Sequence, residues 1–158
     1  RTSWVVSPYG NNFVKTILNL LRNKETINVV SDQIGSLTST YFLSKICWKL
    51  IQENEQYTFE NKKFPPIHHW CDEGIISWYD VACAIKQKSN EIGLLNNSAN
   101  ISSITSDEYK FVANRPKYSV LDCGITENLL NIKRVNWHNS LLKILQSIQI
   151  NENHFKKN

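Results

Sequence analysis

The chain has 158 residues, of which 41% are hydrophobic, and its 18 Lys and Arg against 14 Asp and Glu give a net charge of +4. This length and composition fit one soluble globular domain or a large part of one. No apolar run approaches the roughly 20 residues that a membrane-spanning helix needs, and the basic residues are too scattered for a nucleic-acid-binding surface. We therefore expect a cytoplasmic protein with no membrane and no nucleic-acid partner.

Two strands with a helix between them are predicted at the start of the chain. Residues 4–6 are apolar and lead into a turn that contains Pro and Gly, which indicates a short strand. Asn11 or Asn12 can cap the following helix, in which apolar residues recur at helical spacing. Residues 27–30 then form the second strand, and a polar turn at 31–36 follows.

A second helix is predicted to begin after Thr38 or Ser39, either of which can cap it. The polar residues 52–66 predict a surface loop, and residues 67–71 predict another strand. The apolar residues of the helix predict a wide face that packs on a sheet, namely Phe42, Leu43, Ile46, Cys47, Leu50 and Ile51.

A third helix is predicted from Ser77-Trp78-Tyr79-Asp80, which has the capping-box pattern. A linker at 93–100 leads to a strand at 101–104 and then to an irregular segment that ends at Pro116. The last element is an amphipathic helix near residues 137–148. The alternating strands and helices predict an α/β fold.

The four cysteines favour core packing over metal binding. Cys47, Cys71, Cys83 and Cys123 contain no C-x-x-C pair and no histidine at zinc-ligand spacing. Three of the four lie in apolar stretches, where a free thiol behaves as a small buried hydrophobic group. We therefore predict no metal site and a reducing compartment.

One pattern resembles a catalytic pair. Tyr41 and Lys45 fit Y-x-x-x-K, and this spacing places both side chains on one face of a helix. A pattern with only two fixed positions arises often by chance. We interpret the two residues as an exposed or rim pair with no catalytic role.

Several short stretches, taken in order, are typical of one enzyme family. They are Arg1-Thr2-Ser3-Trp4-Val5, Gly10-Asn11-Asn12-Phe13-Val14-Lys15-Thr16, Asp32-Gln33-Ile34-Gly35-Ser36 with Thr38, Ser77-Trp78-Tyr79-Asp80, Arg115-Pro116 and Ser119-Val120-Leu121-Asp122. With this order and spacing, nearly the whole chain resembles the C-terminal half of the dTDP-4-dehydrorhamnose reductases, which are extended short-chain dehydrogenases/reductases.

The resemblance implies the C-terminal part of a Rossmann-like NAD(P)-binding fold, interleaved with a small α+β substrate-binding domain. Residues 1–72 would supply mostly late Rossmann strands and helices, and residues 73–150 mostly the substrate-binding part. The N-terminal dinucleotide-binding portion is expected to be absent, because the five glycines never form the Gly-rich turn that holds a dinucleotide pyrophosphate.

The family is implied to use NADPH or NADH to reduce the 4-keto group of dTDP-4-dehydro-L-rhamnose, which gives dTDP-L-rhamnose. The catalytic Tyr and Lys of the family precede the matched stretches, so no catalytic residue is assigned and the chain alone is expected to be inactive. A separate N-terminal Rossmann segment or a homodimer partner is implied. The alternative is a non-catalytic, reductase-like binding or regulatory subunit.

The resemblance assigns Trp4, Asn11 and Asn12 to substrate binding. Trp4 would pack on the hexose, although a Trp in an apolar strand is also an ordinary core residue. Asn11 and Asn12 would face the nucleotide, although helix capping alone explains one of them.

Gln33 and Arg115 complete the expected substrate site, and Thr2 and Ser3 are expected near the nicotinamide. A guanidinium matches the geometry of a pyrophosphate, whereas most arginines are simply solvated. Turn chemistry would also explain Gln33. The aromatic residues Trp78 and Trp137 are interpreted as structural.

Overall fold

A computed structural model describes residues 1–109, 113 and 115–155. The strands in this part of the chain are β1 (Val5–Val6), β2 (Thr26–Val30), β3 (Ile34–Gly35), β4 (Thr38–Ser39), β5 (Ile76–Ser77) and β6 (Asn100–Ile104). The helices are α1 (Phe13–Asn23), α2 (Thr40–Phe59), α3 (Trp78–Glu91), α4 (Gly124–Leu130) and α5 (Trp137–Phe155). Among these helices, none combines the length and the apolar character needed to cross a bilayer.

The strands pair into short sheets. β1 lies parallel to β4, and β3 lies antiparallel to β5. β2 lies parallel to β6 along five residue pairs, from Thr26 opposite Asn100 to Val30 opposite Ile104. Parallel neighbours require crossover connections, and the intervening helices supply them. The predicted α/β class is therefore confirmed.

Local sequence explains where α1 and α3 begin. The side chain of Asn12 accepts hydrogen bonds from the backbone amides of Val14 and Lys15, at 3.1 and 3.4 Å, so Asn12 is the cap. At α3, the Ser77 hydroxyl accepts from the Asp80 amide and the Asp80 carboxylate accepts from the Ser77 amide. The predicted capping box is confirmed, and both caps satisfy amides that would otherwise lack partners.

The main hydrophobic core lies between α1, α3, α5 and β2. The apolar stripe of α1 faces this core with Val14, Ile17 and Leu21, all nearly inaccessible to solvent. Leu141 and Leu145 of α5 pack into the same cluster. Burying one such side chain stabilises the fold by roughly 1.5–3 kcal/mol, so these three helices hold most of the described molecule together.

Helix α2 is longer and less buried than its sequence predicted. It continues through residues 52–59, where a loop was expected, because the Gln and Glu residues there are good helix formers. The prediction that its wide apolar face packs on a sheet is wrong. Ile46 is its one buried residue, and it packs with Trp70 and Leu130 in a small second core.

Three further expectations differ from the structure. Residues 67–71 form no strand ladder: the Trp70 amide donates to the Arg1 carbonyl instead, so the backbone is extended but not paired. The polar turn at 31–36 contains strand β3, and the seven-residue helix α4 was not predicted.

The cysteines occupy three different environments. Cys71 and Cys123 are buried, as predicted, and Cys83 is half-buried. Cys47 is exposed on α2, so core packing is wrong for this residue, because α2 turns that side away from the core. Among the described residues, no group of three or more His, Cys, Asp or Glu side chains could hold a metal ion.

Candidate functional site

A cavity of about 380 Å³ lies between α1, β2 and the segment that follows β6. Phe13 and Ile17 of α1 and Val29 of β2 form its apolar wall, while Gln33 and Arg115 supply polar groups. The volume falls within the range typical of small-molecule sites. We call this space the Gln33–Arg115 cavity.

A hydrogen-bond clamp positions Gln33 at the cavity. Its side-chain amide donates to the Ser106 hydroxyl at 3.1 Å, and only 4% of Gln33 is exposed. The Ser106 amide and hydroxyl both donate to Asp32, at 2.8 and 2.7 Å. These bonds, with Lys117 nearby, hold the pKa of Asp32 below its usual value. The clamp thus joins the turn after β2 to the segment after β6.

Arg115 brings an exposed positive charge to the same cavity. Lys117, two residues later, has its ammonium 3.4 Å from the Asp32 carboxylate. The guanidinium of Arg115 forms no ion pair with any residue that the structure describes, so its donors remain open to a bound anion.

An aromatic stack stands beside the cavity. The rings of Trp4 and Trp78 are stacked with their centroids 3.7 Å apart. The centroid of the Phe13 ring lies 4.3 Å from that of Trp78. Gly35 permits this packing, because a Cβ there would lie only 2.5 Å from the Trp4 ring. Trp78 and Phe13 line the cavity, whereas Trp4 packs behind Trp78 and is only half-buried.

The remaining predicted site residues lie elsewhere. Asn12 caps α1, and Asn11 is exposed beside it. The hydroxyls of Thr2 and Ser3 donate to Thr38 and to the Ser36 carbonyl, which ties the start of the chain to the segment before α2. The cavity therefore brings together Gln33 and Arg115, while Trp4 stacks on the lining residue Trp78. The other four predicted residues, Thr2, Ser3, Asn11 and Asn12, do not line it.

The structure adds aromatic residues that sequence reasoning did not assign to the site. Trp78 was interpreted as structural, yet it lines the cavity as well as stacking on Trp4. Phe13 and Tyr109 line it too. The one available signal was the position of Trp78 directly after the capping serine, which fixes where its side chain leaves α3.

A larger cavity of about 640 Å³ lies between α2 and α5 and contains none of the predicted site residues. It is lined by Tyr41, whose ring has the Lys45 ammonium 4.4 Å from its centroid. Lys45, as a hydrogen-bond donor and a positive charge, holds the pKa of Tyr41 below its usual value. Both residues are exposed, as predicted for a rim pair.

The fold of this chain is similar to that of Rossmann-like reductases in solved structures. The crystal structure of a dTDP-4-dehydrorhamnose reductase from Clostridium acetobutylicum matches with a TM-score of 0.78 and 33% identity, over 94% of this chain and 48% of that one. The enzyme from Bacillus anthracis in complex with NADP matches with a TM-score of 0.73 and 31% identity, over 91% of this chain and 45% of that one.

The family model for the RmlD substrate binding domain matches residues 1–150. The chain therefore belongs to the RmlD substrate binding domain family. The predicted family and the partial Rossmann-like fold are confirmed.

Curated relatives agree with this assignment. The dTDP-4-dehydrorhamnose reductase of Aggregatibacter actinomycetemcomitans is 35% identical over 91% of this chain and 48% of its own length. The spore coat polysaccharide biosynthesis protein SpsK of Bacillus subtilis is 39% identical over 92% of this chain and 46% of its own length. The chain thus spans about half the length of the curated relatives it matches.

Proposed function

We propose that this chain is the substrate-binding part of a dTDP-4-dehydrorhamnose reductase. In the intact enzyme it would bind dTDP-4-dehydro-L-rhamnose while NADPH or NADH reduces the 4-keto group. The meeting of Gln33 and Arg115 at one cavity, beside the aromatic stack, carries the proposal. The names of the relatives support the substrate class.

Each part of the site has a chemical role in this proposal. The Arg115 guanidinium would donate to the diphosphate, because its planar fork matches phosphate oxygens. The buried Gln33 amide, held by Ser106, would orient a polar edge of the nucleotide. Trp78 and Phe13 would pack on a flat or apolar face of the ligand.

The cofactor would be held mainly outside this chain. The NADP complex of the Bacillus anthracis relative supports NADP(H) as the cofactor of the intact protein. The described residues do not fit a dinucleotide pyrophosphate, because they form no Gly-rich turn at a helix N-terminus. Thr2 and Ser3 remain proposed neighbours of the nicotinamide, and we propose no hydride-transfer step on residues of this chain.

Binding of dTDP tests the site. Because Trp78 lines the cavity, dTDP should change the tryptophan fluorescence of the purified 158-residue chain. Arg115→Gln should weaken binding about tenfold, the usual loss for one charge-assisted contact. The matched control is Lys49→Gln, which removes an exposed cation from α2. Equal binding by both variants, or none by the original chain, would contradict the proposed site.

An activity assay tests whether the catalytic and cofactor-binding residues lie outside this chain. With NADPH and dTDP-4-dehydro-L-rhamnose, we expect the chain alone to oxidise no NADPH, and co-expression with the dinucleotide-binding segment of a relative to restore oxidation. Turnover by the chain alone would overturn this part of the proposal. A chain that co-purifies with a reductase yet ignores dTDP would instead indicate the alternative, a non-catalytic binding or regulatory subunit.

A further inference from the structure

Two buried cysteines lie side by side, away from the Gln33–Arg115 cavity. The Sγ atoms of Cys71 and Cys123 are 3.5 Å apart, and both residues are at most 2% exposed. Cys71 belongs to the extended segment before α3, and Cys123 directly precedes α4. The sulfurs are therefore in contact although 52 positions separate the two residues along the chain.

The surroundings favour a thiolate on Cys71. The Arg134 guanidinium lies 3.8 Å from its Sγ atom and is held in place by Glu127, at 3.1 Å. The hydrogen bond with Cys123, with smaller contributions from Ser36 and Arg134, lowers the pKa of Cys71 below its usual value. The same contact raises the pKa of Cys123. The thiolate is the form of cysteine that an oxidant attacks, and a neighbouring thiol can then resolve the oxidised sulfur, provided that a small oxidant reaches the pair.

We propose that Cys71 and Cys123 form a reversible oxidation site, in which a hydroperoxide converts the two thiols into an intramolecular disulfide. The contact between the two Sγ atoms carries the proposal. A disulfide bond is about 2.05 Å long, so small side-chain and loop shifts would close the remaining gap. Cys123 lies at the start of the short helix α4, where such a shift disturbs little of the main core.

The chemistry balances without a metal or a bound cofactor. The Cys71 thiolate attacks one oxygen of the hydroperoxide, so that an S–O bond forms, the O–O bond breaks, and the leaving oxygen takes up a proton. Cys123 then attacks the Cys71 sulfur: the S–S bond forms, the S–O bond breaks, and the Cys123 proton leaves with hydroxide as water. Two thiols are oxidised and one hydroperoxide is reduced.

The test uses the full chain and its two other cysteines as internal references. After hydrogen peroxide treatment, removal of the peroxide and unfolding in denaturant that contains N-ethylmaleimide, the label should appear on Cys47 and Cys83 but not on Cys71 and Cys123, and peptide mapping should find these last two joined. Formation of this disulfide should be at least roughly tenfold faster than that of any disulfide with Cys47 or Cys83, because the partners are preplaced. A thiol reductant should restore all four labels.

A double variant, Cys47→Ser with Cys83→Ser, keeps only the proposed pair and should give the same disulfide in a monomer. Phenylarsine oxide, which bridges closely spaced dithiols, should bind this variant once per chain. The proposal is overturned if Cys71 and Cys123 of the peroxide-treated chain are still alkylated once the chain is unfolded in denaturant, or if Cys71 is oxidised only to the sulfinic acid. The unsubstituted chain gives both readouts, so neither depends on the folding of a variant.

Discussion

The Asn12 side chain satisfies the first amides of α1 and also donates to the Ser7 carbonyl, at 2.8 Å. Asn12→Ala removes all of these bonds, so we expect the free energy of unfolding to fall by about 1 kcal/mol. Urea unfolding measures the change. Asn11→Ala is the control, because Asn11 is exposed and should change stability by less than about 0.5 kcal/mol. Equal losses would contradict the assignment of Asn12 as the cap.

Gly35 governs the aromatic stack beside the cavity. An added Cβ would lie 2.5 Å from the Trp4 ring and 2.9 Å from the Ser119 hydroxyl. Gly35→Ala should therefore displace Trp4 from Trp78 and cost about 1–3 kcal/mol of stability. Near-ultraviolet circular dichroism should lose the signal of the stacked rings.

Gly124→Ala provides the matched comparison for that substitution. The nearest atom to a Cβ at Gly124 is an Asp122 carboxylate oxygen at 3.2 Å, a contact that a small side-chain rotation relieves. Its near-ultraviolet spectrum should match that of the unsubstituted chain. An unchanged spectrum in Gly35→Ala would show that the stack tolerates the extra atom.

Single residues could be predicted from sequence where their partners are local. Asn12 and Ser77 bond amides two or three positions away, so pattern alone located the Ser77 cap and limited the cap of α1 to Asn11 or Asn12. Gln33 differs, because the hydroxyl that orients it belongs to Ser106, 73 positions along the chain. Distant contacts of this kind depend on the fold, and no spacing rule encodes them.

At the scale of elements, Asp72 secures the start of α2. Its carboxylate accepts a hydrogen bond from the Ser39 amide at 3.2 Å. Its other oxygen is buried without a hydrogen bond of standard geometry in the described structure, and the Ser140 hydroxyl is its polar neighbour. Burial raises the pKa of Asp72 above its ordinary value of 3.8. The folded state therefore binds this proton more tightly than the unfolded state does, and stability is lost as the pH rises through the raised pKa.

Asp72→Asn removes the ionisable group but keeps an oxygen for the Ser39 amide. We expect the variant to gain about 1 kcal/mol or more over the unsubstituted chain at neutral pH, where the buried carboxylate is costly. The gain should shrink as the pH falls toward 4. Urea unfolding at several pH values measures it, with the exposed Asp107→Asn as control. A gain independent of pH would contradict the raised pKa.

Helix α2 shows why element boundaries resist prediction. Residues 52–59 are polar because they face solvent, and polarity alone does not separate an exposed helix from a loop. Its apolar residues predicted a buried face, yet Ile51, a member of that face, is 50% exposed. Among the described residues, that face meets only a small second core around Trp70 and Leu130, together with the segment at 64–68.

At the scale of the whole molecule, the two cores should differ in stability. The main core packs three helices together, whereas the second contains only Ile46, Trp70 and Leu130 as fully buried members in the described structure. Hydrogen exchange monitored by mass spectrometry should therefore show amides at 50–59 exchanging at least about tenfold faster than amides at 81–89. Equal protection of the two segments would indicate that the cores unfold as one unit.

The α/β class, four of the five described helices and the strands β1, β2 and β6 followed from periodicity, caps and turn signals. Strand partners did not, because short strands such as β1, β3 and β5 carry two residues each and leave no periodic signal. For the site, the family pattern directed attention to Gln33 and Arg115. Whether they bind substrate stays a prediction, as does the division of the chain near residue 72.

The pairing of β2 with β6 has a consequence for biosynthesis. Thr26 must find Asn100, a separation of 100 − 26 = 74 positions, before this longest ladder can form. Such high contact order slows folding. A nascent chain emerging from the ribosome would therefore carry β2 without its partner β6 until residues 100–104 had been translated, and chaperones that shield exposed strand edges would have their greatest effect during that interval.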